Sequence, residues 1–127
     1  MKIFLVDDSA PVRRRLRQML HAIPGIHIVG EAPAAAQAVA GILAAKPDLV
    51  LLDIQLEKGS GFDVLRALHD RAPHTACYML SNFVSEPYRN LAERLGATGF
   101  FDKTTEFERV RDAIAERARE SAISTTH

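Results

Sequence analysis

Five short, almost unbroken apolar runs recur along the chain, and each is followed by a longer stretch of helical period. The runs are residues 3–6, 26–29, 49–52, 77–80 and 100–101. A run without polar alternation suits a strand covered on both faces, the pattern of a parallel sheet. Strands that alternate with helices place helices on both sides of that sheet. The expected fold is therefore α/β, a (βα)5 three-layer sandwich around a five-stranded parallel sheet.

The helical stretches carry their own start and stop signals. In the first, Val12, Leu16, Met19, Leu20 and Ile23 form one stripe. Ser9 is placed to cap it, Pro11 sits in the first turn, and Pro24-Gly25 stop it. The second spans 34–45 with Val39, Ile42 and Leu43 facing in, and Pro47 closes it. The third carries Phe62, Leu65 and Leu68 behind a Ser60/Asp63 capping box. The fourth presents Tyr88, Leu91, Ala92 and Leu95 and ends at Gly96. The fifth presents Phe107, Val110 and Ile114, with Thr105/Glu108 as a second capping box. Residues 1–120 read as one domain and 121–127 as a frayed polar tail. Strands two and five are expected at the edges, which favours the order 2-1-3-4-5.

Composition narrows the function classes. Of 127 residues, 47% are hydrophobic and 25% charged, a globular balance. The 16 basic side chains match the 16 acidic ones, so net charge gives no reason to expect nucleic-acid or membrane binding. A single cysteine, Cys77, excludes an internal disulfide and suits a reducing compartment. The N-terminal apolar run is too short for a leader or a membrane span, so a cytoplasmic location is expected.

What ends each strand carries the chemistry. The first run ends in Asp7-Asp8, the third in Asp53, the fourth in Ser81 and the fifth in Asp102-Lys103. Parallel strands joined by right-handed crossovers bring these ends to one edge of the sheet. In the order 2-1-3-4-5, strands one and three adjoin at the switch point where open α/β sheets bind ligands. Three carboxylates crowded there repel one another unless a cation joins them. Oxygen-only ligands favour Mg²⁺, Mn²⁺ or Ca²⁺ over zinc, and Mg²⁺ commonly shares carboxylates with a phosphate oxygen. Acids, one lysine and one serine fit phosphoryl transfer, with Asp53 free to attack, Lys103 neutralising charge and Ser81 donating a hydrogen bond.

These residues, in this order, resemble the response-regulator receiver family, whose fold is flavodoxin-like. The resemblance runs from Ile3 to Ile114. It includes Asp7-Asp8, Leu51-Leu52-Asp53, Gly61, Ser81, the turn Gly96-Ala97-Thr98-Gly99-Phe100, and Lys103. It implies a phosphorylation switch of a two-component relay rather than an enzyme. Asp53 is the implied phosphoacceptor. Asp8, Asp53 and the backbone carbonyl of Gln55 are the implied Mg²⁺ ligands, with Asp7 acting through water. Lys103 pairs with the phosphoryl oxygens, and Ser81 and Phe100 are the implied switch pair. The implied donor is a sensor histidine kinase, a histidine phosphotransfer protein or a small acyl phosphate. The implied output surface is the face of helix four, strand five and helix five, offered to a partner or to a second copy.

Two positions depart from the family pattern. Glu57 stands where proline is frequent, which leaves loop 57–60 less constrained. Thr104 follows Lys103 where proline is frequent, and a cis bond there would cost about 3 kcal/mol. Gln55 and Phe83 lie where the family tunes the lifetime of the phosphoryl group. Plainer readings stand beside the functional ones. The acids could be helix caps, Ser81 a turn residue, Phe100 core, and Lys103 a solvated lysine. The cluster Arg13, Arg14, Arg15 and Arg17 reads either as a solvated face or as a kinase-docking surface. Two other functions share the fold or the chemistry. One is an Mg²⁺-dependent phosphatase with an aspartate nucleophile, which usually has an acid where Gln55 stands. The other is a receiver-fold binding module that has lost phosphorylation.

Overall fold

Each apolar run becomes a strand in the computed structural model, which describes residues 1–125. The elements are β1 (Lys2–Val6), α1 (Ala10–His21), β2 (His27–Ala32), α2 (Ala35–Ala45), β3 (Leu49–Leu52), α3 (Gly61–Arg71), β4 (Ala76–Ser81), α4 (Glu86–Arg94), β5 (Gly99–Asp102) and α5 (Phe107–Thr125). The strands form one parallel sheet in the order β2-β1-β3-β4-β5, the order that the sequence pattern favours.

The two faces of the sheet follow the period of two along each strand. Phe4, Val6, Val50, Leu52, Cys77 and Met79 pack under α2, α3 and α4 through Ile42, Val64, Leu65, Leu68 and Ala92. Ile3, Leu5, Leu49, Leu51, Tyr78 and Leu80 pack under α1 and α5 through Leu16, Leu20, Val110 and Ile114. Cys77 lies inside the first of these clusters. Burial pushes its thiol up to about 12, so it serves as a small hydrophobe rather than a nucleophile.

Helix starts follow local chemistry. The Ser9 hydroxyl accepts the Val12 N–H at 3.3 Å and opens α1, with Pro11 in its first turn. At α3 the box forms in both directions: the Ser60 hydroxyl accepts the Asp63 N–H (3.3 Å) and the Asp63 carboxylate accepts the Ser60 N–H (2.9 Å).

Three expectations need correcting. The Thr105/Glu108 box does not open α5. The Asp102 carboxylate takes the N–H groups of Thr104 (2.8 Å) and Thr105 (3.2 Å), which closes a turn, and the helix begins at Phe107. Helical backbone also continues to Thr125, past Ser121 where a polar tail was expected; residues 126–127 of that expectation lie outside the described residues. Tyr88 does not face the core but remains 40% exposed. It stacks parallel to Phe62, with ring centroids 6.2 Å apart, and lies 5.9 Å from Phe83.

Candidate functional site

The C-terminal ends of β1, β3, β4 and β5 meet at one rim, and the residues singled out from the sequence stand there. Asp53 follows β3 directly and its N–H donates to the Val6 carbonyl at 2.9 Å, which continues the β1–β3 ladder by one residue. Asp7 follows β1 and its N–H donates to the Ala32 carbonyl at 3.1 Å. Both residues are buried, Asp53 at 6% exposure and Asp7 at 2%, whereas Asp8 is exposed. One carboxylate oxygen from each of Asp7, Asp8 and Asp53 falls within 4.8 Å of the others.

Lys103 completes the cluster. Its N–H donates to the Ser81 carbonyl at 2.9 Å, which holds it just beyond β5. From there the ammonium reaches Asp7 Oδ2 at 2.7 Å and Asp53 Oδ2 at 2.9 Å. The other Asp53 oxygen accepts the Ile54 N–H at 2.8 Å. Burial and the neighbouring Asp7 charge push the Asp53 carboxyl above the ordinary carboxylate range, even though Lys103 and the Ile54 N–H pull it down. Burial alone would lower the Lys103 ammonium, but its bonds to Asp7 and Asp53 outweigh that and hold it above its ordinary value. Three carboxylates facing one ammonium leave an excess of negative charge among hard oxygen donors. That donor set fits a divalent cation such as Mg²⁺.

The surrounding residues fall on an α3 side and an α4 side. On the α3 side, Gly61 abuts the strand end. Its N–H donates to the Ile54 carbonyl at 2.7 Å, and a Cβ placed on it would fall 2.2 Å from the Asp53 carbonyl oxygen. Loop 57–60 is tied down despite its missing proline. The Glu57 N–H donates to Pro33 (3.1 Å), the Ala35 N–H donates to Lys58 (2.9 Å), and Gln55 bridges Ser60. Gln55 itself is exposed. On the α4 side, Ser81 is fully buried and its hydroxyl accepts the Phe83 N–H at 3.0 Å. Phe83 is 41% exposed. Phe100 is half-buried on β5 with the Arg89 guanidinium 4.8 Å above its ring. The Lys103–Thr104 peptide is trans, there being no cis bond among the described residues.

The basic cluster on α1 splits. Arg14 is exposed, and Arg15 lies over the Phe107 ring at 3.8 Å. Arg13 and Arg17 both turn to Glu31 on β2, at 3.1 and 2.6 Å, and Arg13 also donates to the Asp7 carbonyl at 2.5 Å. Sequence reasoning did not single out Glu31. Its one legible signal was an acid near the end of a strand expected to share the rim with Asp7.

A model of the response regulator receiver domain matches residues 3–115. The chain belongs to the response regulator receiver family. Curated relatives of this receiver domain include the DNA-binding transcriptional activator DevR/DosR of Mycobacterium tuberculosis, 40% identical over 81% of the chain and 48% of the relative. The transcriptional regulatory protein YxjL of Bacillus subtilis is 32% identical over 99% of the chain and 58% of the relative. The chain thus spans about half the length of these two relatives. Among solved structures, the response regulator domain of Thermotoga maritima CheB superimposes with a TM-score of 0.83 at 28% identity, covering 94% of both chains. No helix among the described residues is long and apolar enough to cross a membrane.

Proposed function

We propose that this receiver domain is a phosphorylation switch in which Asp53 takes a phosphoryl group from a phosphohistidine or a small acyl phosphate. The observation that carries the reading is the seat of the Lys103 ammonium, 2.9 Å from Asp53 and 2.7 Å from Asp7, at a rim shared by three strand ends. An oxygen of the Asp53 carboxylate attacks phosphorus. The new P–O bond forms as the donor's bond to phosphorus breaks, P–N in a phosphohistidine or P–O in an acyl phosphate, and the imidazole or the carboxylate leaves with the electron pair. Asp8, Asp53 and the Gln55 carbonyl would hold Mg²⁺, with Asp7 acting through water. The ion would supply charge neutralisation at the transferring group. Lys103 is already beside the acceptor and moves its charge to the phosphoryl oxygens. Ser81 gives up the Phe83 N–H and turns its hydroxyl toward them.

The product places new negative charge where Lys103 had been balancing carboxylates. It shifts a two-state equilibrium by as much as the phosphoryl group favours one state. Phe100 and the α4–β5–α5 face then carry the signal to a partner protein or a second copy, and the donor is a sensor histidine kinase or a histidine phosphotransfer protein. The test is intact-mass measurement after incubation with acetyl phosphate and Mg²⁺. Wild type gains one phosphoryl mass and Asp53→Asn gains none; equal labelling of both refutes the assignment of the acceptor.

A further inference from the structure

We infer that Arg13 is a positioning residue for the cation-binding carboxylates, because it fixes the peptide between Asp7 and Asp8 and through it the direction of Asp8. The inference rests on the cation reading above and adds to it a residue outside the ligand set.

Among the described residues, the Asp8 side chain has no hydrogen bond or ion pair, so its backbone is what sets the Cα–Cβ direction from which the carboxylate reaches the cluster. That backbone begins at the Asp7–Asp8 peptide. The Asp7 carbonyl oxygen is one end of this plane, and the Arg13 guanidinium donates to it at 2.5 Å. Glu31 orients the guanidinium by accepting its Nε–H at 3.1 Å, and Arg17 holds Glu31 in turn at 2.6 Å. Arg13 is only 19% exposed, unlike a solvated arginine. The rest of Asp7 is fastened separately: its N–H to Ala32, and its carboxylate to the Ser9 N–H (2.9 Å) and Lys103. Asp8 therefore sits between two fastened peptides, the one before it held by Arg13 at the Asp7 carbonyl and the one after it held by the Ser9 N–H on the Asp7 carboxylate.

Two effects of Arg13 on a bound dication oppose each other. As a positive charge it repels the ion and weakens binding. As an anchor it holds Asp8 ready and strengthens binding, as supporting residues behind metal ligands commonly do by about 10-fold or more. Their signs separate them. If anchoring dominates, Arg13→Met weakens divalent binding although it removes a positive charge. Arg13→Lys keeps the charge but cannot span Glu31 and the Asp7 carbonyl with a planar fork, and it weakens binding too. Arg14→Met removes a charge from an exposed position on α1 without touching Glu31 or the Asp7 carbonyl and leaves binding little changed.

The experiment is an EPR titration of free Mn²⁺ against the full chain at one pH, with thermal unfolding recorded without metal for every variant. The expected result is about a 10-fold rise in Mn²⁺ dissociation constant for Arg13→Met and Arg13→Lys. Wild-type affinity in a folded Arg13→Lys overturns the inference, as does tighter binding by Arg13→Met. If Arg13→Met fails to fold, Arg13→Lys alone decides. Absence of Mn²⁺ binding by wild type overturns the cation reading itself, and this inference with it.

Discussion

Replacing Lys103 by methionine keeps the aliphatic stem and removes the ammonium from between two buried carboxylates. Lys103 is 13% exposed, and its contacts to Asp7 and Asp53 are 2.7 and 2.9 Å long. Breaking a buried ion pair from one side costs about 3–5 kcal/mol, because the remaining charge is left uncompensated. The lower end applies here, since Asp53 escapes by taking up a proton; its carboxyl is already raised by burial. A loss of about 3 kcal/mol is a large share of the roughly 5–15 kcal/mol that holds a domain together. For a chain of 127 residues it lowers Tm by about 10 °C. Thermal and urea unfolding by circular dichroism at neutral pH, in EDTA, measure it. The loss shrinks on acidification, as Asp53 protonates. Mg²⁺ at a hundred times its Kd restores about 2.7 kcal/mol. A loss below about 0.5 kcal/mol, the range of an ordinary surface substitution, would refute the claim that this ammonium neutralises buried acids.

Asp53→Asn stabilises the metal-free protein at neutral pH. The folded carboxyl holds its proton above the unfolded value of 3.8, so this group's contribution is fully present below 3.8 and is lost as pH rises through the folded pKa. Urea midpoints of wild type and Asp53→Asn therefore converge in acid and separate above it; a gap that widens on acidification contradicts the sign. Gly61→Ala forces a methyl against the Asp53 carbonyl, costs about 1–3 kcal/mol by urea unfolding, and slows phosphorylation by acetyl phosphate. Unchanged stability and rate would show that α3 can retreat from the strand end.

Much of this was legible because the sheet imposes it. Continuous apolar runs gave the strands, and once the order β2-β1-β3-β4-β5 was favoured, Asp7, Asp53 and Lys103 had to share a rim. The Arg13–Glu31 link was not legible. It depends on β2 reaching Ala32 and on a register shift between Ile3 and Phe4 that sets Glu31 beside Leu5, and no periodicity encodes such a shift. Nor was the start of α5, where the Asp102 side chain competes with Thr105 for the capping role. Tyr88 fits the apolar stripe of α4, yet the stripe cannot tell a ring that enters the core from one that lies on Phe62 at its margin.

The two sides of Asp53 are fastened by different means. Behind the acceptor, Gly61 and the loop tied to Pro33 and Ala35 form an abutment that cannot recoil. Ahead of it, the Ser81 hydroxyl holds the Phe83 N–H, Arg89 ties α4 to the Val84 and Phe100 carbonyls, and α4 sends only Ala92 fully into the core. A shift of the strand end therefore meets backbone on the α3 side and longer, jointed side chains on the α4 side.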